Sequence, residues 1–122
     1  MEKYNKTIGR YGEDAAVRYL KRRGYRIIER NYTVQGGEID IIAQKGVNTV
    51  FVEVKTRSGD GYGSPAEAVT YIKKQRMKKA ATVFLQKEGD CFVRFDVVEV
   101  YGSFDGKKFK KEHINHIENA II

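Results

Sequence analysis

From Ile8 onward, apolar and small residues return every three or four positions, at Ile8, Tyr11, Gly12, Ala15, Ala16, Tyr19 and Leu20. That spacing marks one face of an α-helix. Gly24 supplies its stop, and Arg18, Lys21, Arg22 and Arg23 gather near the C-terminal end, where positive charge suits the helix dipole. Residues Tyr25 to Tyr32 are β-branched and aromatic enough to predict a strand, broken by Gln35-Gly36-Gly37. Two apolar runs follow, Glu38 to Ala43 and Val50 to Thr56, around Lys45-Gly46-Val47-Asn48, which predicts a hairpin turn.

The stretch Ser58 to Gly63 is glycine-rich and predicts a mobile loop. Ser64-Pro65-Ala66-Glu67 then predicts a helix start: Ser64 as N-cap, Pro65 at the first position, Glu67 completing a capping box. The core face of that helix is expected at Ala66, Val69, Ile72, Met77, Ala80, Ala81, Phe84 and Leu85, with an end before Gly89. Cys91 to Val100 predicts a further strand, and Ile114, Ile117, Ala120 and Ile121 a short terminal helix. The order α-β-β-β-α-β plus a C-terminal helix implies an α/β fold with a mixed sheet flanked by helices, not a doubly wound unit.

Composition narrows the reading. The chain has 122 residues, enough for one domain over 1–122. No run approaches the ~20 apolar residues of a membrane span, and the first residues lack the apolar core of a signal peptide, so a cytoplasmic location is expected. The lone Cys91 cannot close an internal disulfide, and no Cys/His set has zinc spacing. His113 and His116 fall on the expected terminal helix without a third ligand and read as surface residues. The net charge is +7. A basic balance of this size suits a polyanionic partner, nucleic acid first, and equally a merely soluble basic surface.

The chemistry concentrates on the hairpin. Side chains alternate along a strand, which groups Glu53 with Lys55, and Glu38 with Asp40 and Ile42 opposite Ile39 and Ile41. A symmetric hairpin around Gly46-Val47 pairs Asp40 with Glu53 and Glu38 with Lys55. Two carboxylates at ~5 Å between Cβ atoms repel unless a proton, a lysine or a metal ion intervenes. Oxygen ligands so spaced suit Mg²⁺ or Mn²⁺, either of which can polarise a phosphodiester and acidify a bound water. The same pattern fits an exposed sheet face on which Lys55 pairs with Glu38 and Glu53.

Asp40, followed after twelve residues by Glu53-Val54-Lys55, is similar to the D…ExK signature of the PD-(D/E)xK nuclease superfamily. The wider wording resembles the YraN family, small bacterial proteins regarded as endonuclease-like relatives of archaeal Holliday-junction resolvases. It is carried by Gly9-Arg10-Tyr11-Gly12-Glu13, Tyr19-Leu20, Gly24-Tyr25, Arg30-Asn31, Gly37 to Ala43, Phe51 to Arg57 and Arg94 to Val98. The resemblance implies a restriction-endonuclease-like fold, Asp40 and Glu53 as ligands of Mg²⁺ or Mn²⁺, and Lys55 as the group that orients or activates water. Resolvase-like members add a glutamate from the first helix, and Glu13 holds the matching position as a catalytic and metal-binding residue. Ile39 stands where the superfamily's nominal motif has proline.

Around that site, Lys73 matches a lysine typical of the YraN family and, with Arg76 nearby and Arg57 on the strand of Lys55, is expected to contact nucleic acid, DNA in the first place. Lys78 and Lys79 fit a solvated helix face. Tyr62 in the glycine-rich loop could lie against a base. One chain carries one such site, so cutting two strands would require a homodimer. The competing expectation is a catalytically silent nucleic-acid-binding module that keeps the nuclease fold.

Overall fold

A computed structural model of the protein describes residues 2–58, 70–89, 91–104 and 108–120. Within them the chain runs α1 (Glu2–Arg22), β1 (Arg26–Val34), β2 (Gly37–Lys45), β3 (Asn48–Ser58), α2 (Tyr71–Glu88), β4 (Phe92–Phe104) and β5 (Phe109–Ile117). The five strands form one sheet in the order of the sequence, β1-β2-β3-β4-β5. Every neighbouring pair is antiparallel except β3 and β4, which run parallel. None of the described helices is long and apolar enough to cross a membrane.

The helices lie on opposite faces, and the apolar spacing of each explains which. On α1, Ala15, Ala16, Val17 and Leu20 are buried against Ile41, Ala43, Val50, Val52, Val98 and Val100. On α2, Met77, Ala80, Ala81 and Phe84 are buried against Ile39, Ile42 and Phe51. The end of α1 follows from Gly24, which takes φ +87°. There the Gly24 N–H donates to the Lys21 carbonyl and the Tyr25 N–H to the Leu20 carbonyl, both at 3.0 Å, the paired bonds of a Schellman stop. Tyr25 and Leu20 then pack together in the core. Farther up α1, Gly12 lies so close to β3 that a Cβ there would stand 1.9 Å from the Thr56 hydroxyl.

Three sequence expectations change. The C-terminal segment is the strand β5, not a helix. Ile114, Ile117 and Ala120 have helical spacing, but Ile114 and His116, two apart, are the residues turned inward, and Ile117 is exposed. His116 is accordingly no surface residue. Its Nε2 lies 2.8 Å from Asp96 and its Nδ1 3.1 Å from the Tyr19 hydroxyl. Second, α2 as described begins at Tyr71 with Thr70 as N-cap, whose hydroxyl accepts the Lys73 N–H at 3.1 Å. The expected cap at Ser64 to Glu67, Ala66, Val69, the Gly59–Gly63 loop, Tyr62 and Ile121 lie outside the described residues. Ile72, expected in the core, is 73% exposed; the sheet-facing row of α2 runs through Lys73, Met77, Ala80 and Phe84, one position round the helix. Third, the even alternation expected through Glu38 to Ile42 is broken at Asp40: Ile39 joins Ile42 on the α2 face, and Ile41 alone of the pair faces α1.

Asp96 locks the far end of the sheet. It is fully buried on β4, and both oxygens are satisfied. Oδ1 accepts from Arg94 Nε at 3.0 Å and from the Asn119 backbone at 2.9 Å; Oδ2 accepts from Arg94 Nη2 at 2.9 Å and faces His116. Burial raises the Asp96 pKa, but these hydrogen bonds together outweigh it and hold the carboxyl below its usual range. An acid with a depressed folded pKa contributes stability above its unfolded value and loses it as pH falls through the folded one. Denaturant midpoints followed from about pH 5 to about pH 2 should therefore fall more for wild type than for Asp96→Asn. At neutral pH, Asp96→Asn should cost about 3 kcal/mol, since it leaves the buried Arg94 pair broken. Gly12→Ala should cost about 1–3 kcal/mol by overpacking, and adding Thr56→Ala should recover part of that in the same denaturation experiment.

Candidate metal site between strands β2 and β3

The hairpin register is the predicted one from Lys45–Asn48 to Ile41–Val52. It stops there. The next acceptor for β3 is a side chain: Asp40 Oδ2 takes the Val54 N–H at 2.8 Å. The Asp40 carboxylate thus lies in the plane of the sheet, between the two strands. On the other side of β2, the chain also departs from regular pleating. Asn31, opposite Asp40 in the β1–β2 register, has φ +52°. Arg30 and its partner Ile41 face α1, while Tyr32 and its partner Ile39 face α2. Both strands therefore change faces at Asn31 and Asp40, which opens the sheet where the acids meet.

Glu53 faces the α2 side and is buried, its side chain only 8% exposed. Its carboxyl shares a hydrogen bond with Asp40. Oε2 is buried and has no hydrogen-bond partner among the described residues; the Lys73 ammonium stands 3.6 Å from it, an ion-pair distance too long for a hydrogen bond. Burial first, and the adjacent Asp40 charge second, push Glu53 up to about 8, against the pull of Lys73 and Lys55. Burial also raises Asp40, although the Val54 N–H, Lys73 and the Glu53 hydrogen bond oppose it. Two carboxyls whose environment resists double ionisation form a site that is incomplete without positive charge.

The donor set fits a hard divalent cation. It offers two converging carboxylates, one with an orphaned buried oxygen, and Mg²⁺ typically takes one or two carboxylates with waters and phosphate oxygens. No group of three or more acids, histidines and cysteines comes together among the described residues. Glu13 lines the same cleft as Asp40, a cavity of about 770 Å³ also bordered by Arg10, Arg30 and Thr56. But Glu13 Oε1 is held by Arg30, at 3.1 Å from Nε and 3.0 Å from Nη2, and by Asn31 Nδ2 at 3.0 Å. Arg30 also reaches Asp14 at 2.6 Å.

The expected cations are distributed unevenly. Lys73 is drawn into the acidic site, donating to Glu38 Oε1 at 2.9 Å. That bond lowers the Glu38 pKa. Burial alone would lower Lys73, but Glu38, Glu53 and Asp40 more than offset it and keep the ammonium charged. Arg76 lies at the rim, 3.9 Å from Glu38, and is more exposed. Lys55 and Arg57 continue the Glu53 face along β3 and are half-buried. Arg30, Asn31 and Glu99 were not singled out as contributors in the sequence. Glu99 is buried beside Lys55 in the parallel register, where it accepts a hydrogen bond from Asn115 at 2.8 Å. The sequence signal for Arg30 and Asn31 was the Arg-Asn pair within the family wording; for Glu99 it was a lone acid in an apolar strand.

Comparison with known proteins agrees with this wording. The model of the uncharacterised protein family UPF0102 matches residues 12–100. A UPF0102 protein of Geobacter metallireducens is 47% identical, over 99% of this chain and 97% of its own length. One from Alkaliphilus oremlandii is 48% identical, over 96% and 99% respectively. One from Geobacter sulfurreducens reaches 50%, over 97% and 91%. With a family model across most of its length and relatives this similar from end to end, the chain belongs to the UPF0102 family, which is the YraN family.

Proposed function

We propose that this protein is a metal-dependent nuclease-like enzyme that hydrolyses phosphodiesters in DNA, with branched or otherwise structured DNA as its substrate class. The observation that carries this reading is the Asp40–Glu53 pair at the split between β2 and β3, with an orphaned Glu53 oxygen and a lysine two residues along. A bound Mg²⁺ or Mn²⁺ would supply Lewis acidity toward a phosphate oxygen and a more acidic water. Asp40 and Glu53 are the residues that would hold it. Lys55, on the Glu53 face, would orient the water that adds to phosphorus as the bond to the leaving sugar oxygen breaks, and would offset charge gathering on the phosphate. Lys73 keeps Glu38 and Glu53 compatible in one site before the cation arrives. Arg57 and Arg76, beside the acids, would contact the flanking phosphates. Glu13 borders the same cleft, where Arg30 and Asn31 fix one of its oxygens.

That hold on Glu13 favours a second reading, a DNA-binding module that retains the fold without catalysis. The two separate in one assay with Mg²⁺ or Mn²⁺ on branched, single-stranded and duplex DNA. The enzyme reading expects cleavage that Asp40→Ala abolishes and Lys55→Ala lowers at least about 100-fold. Identical behaviour of wild type and Asp40→Ala on every substrate would leave only binding.

A further prediction concerns protons. An acid whose folded pKa is raised contributes stability below its unfolded value and loses it as pH rises through the folded one. For Glu53 the window runs from 4.5 to about 8. Melting of the metal-free protein should therefore show a loss of stability toward the upper end of that window. Glu53→Gln should remove this loss, making the variant more stable than wild type at about pH 8 by roughly 1–3 kcal/mol. Added Mg²⁺ should raise the wild-type melting temperature most at that upper end and leave Glu53→Gln unmoved. Calorimetry should record proton release on Mg²⁺ binding, because the ion takes the ionised carboxylates.

A further inference from the structure

Beyond the acids, the Glu53 face of the sheet carries a second ordered feature. The parallel register sets Glu99 beside Lys55 and Tyr101 beside Arg57; the antiparallel register of β4 and β5 then sets Asn115 beside Glu99 and His113 beside Tyr101. The Tyr101 and His113 rings stack, with centroids 4.4 Å apart and planes within 6° of parallel. His113 is exposed, as are Lys110 and Lys111 just before it on β5. Next to the stack, the Asn115–Glu99 hydrogen bond ties the same two strands together. Strand geometry places Tyr101 about 14 Å from Glu53, four residues along and one strand across.

We infer that the Tyr101–His113 stack is a platform for an unpaired base of a DNA strand whose backbone runs from the Asp40–Glu53 site along Lys55 and Arg57. This rests on the nuclease reading for where the strand comes from, though not for the stacking itself. A flat pair of rings with an exposed imidazole offers a nucleobase the sequence-tolerant contact that single-strand binders use. The cations on both sides, Lys55 and Arg57 on β3 and Lys110 on β5, suit the phosphates that flank such a base. Bases inside a duplex are already stacked and cannot use the platform without flipping, so it favours DNA with unpaired nucleotides over a blunt helix.

The test is fluorescence anisotropy with the Asp40→Ala protein in Mg²⁺, so that the DNA stays intact. Three labelled duplexes are compared: one blunt, one with an unpaired overhang, and one with an overhang of abasic residues. Adding His113→Ala should weaken binding to the overhang duplex about fivefold or more. His113→Phe should restore it, neither change should alter binding to blunt DNA, and the abasic overhang should erase the difference between His113 and Ala. No loss with His113→Ala, or an equal loss on blunt and overhang DNA, overturns the platform. Cleavage by the protein with Asp40 intact is scored separately. Its absence with overhang discrimination retained defeats the nuclease reading and leaves the platform standing; its presence without discrimination does the reverse.

Discussion

The arrangement turns on one hydrogen bond, the Val54 N–H to the Asp40 carboxylate. A backbone donor on an interior strand must find an acceptor, and a neighbouring carbonyl ordinarily supplies it. Because a side chain supplies it here, β2 can leave β3 without stranding that donor, and the sheet divides at the position where Glu53 turns inward. The same bond aims Asp40 along the sheet plane, within reach of both faces. Asp40 therefore links the two sides: it lines the cleft beneath α1 and interacts with Glu53 on the α2 side.

Electrostatically the site inverts its surroundings. A chain of net charge +7 gathers Glu38, Asp40 and Glu53 at one place and draws Lys73 inward to hold them, while Arg76 remains at the rim. The ammonium compensates only in part. It bonds Glu38 and stops short of Glu53, whose second oxygen is left with unfilled capacity. A fully matched salt bridge would make a stable but chemically closed sheet; incomplete matching leaves a place where an additional positive charge is stabilised.

Much of this was legible in the chain. A symmetric hairpin about a glycine turn predicts the β2–β3 register from Lys45–Asn48 to Ile41–Val52, and a glycine at the end of a three-and-four apolar pattern marks the stop of α1. What was not legible depended on polar residues acting as core. His116 is counted as hydrophilic in any periodic pattern, so Ile114, Ile117 and Ala120 read as a helix; only the distant Asp96 makes an inward His116 favourable and selects a strand. Ile39 went to the unexpected face for a related reason. The pleat is interrupted by what the Asp40 and Asn31 side chains bond to, and no apolar count contains that information. The acids of the site were visible as types, whereas the engagement of Glu13 by Arg30 and the position of Glu99 required the folded sheet.

Asp96 also bears on how the chain comes to be folded. Of its four hydrogen bonds, two come from Arg94, two residues away, and one each from His116 and Asn119, which lie 20 and 23 residues further along the chain. Before β5 is in place, therefore, β4 can dock against α1 only with a half-satisfied carboxylate at its centre, which opposes burial. Burial of this carboxylate therefore waits on β5, which also ties α1 to the last strand of the sheet through Tyr19 and His116.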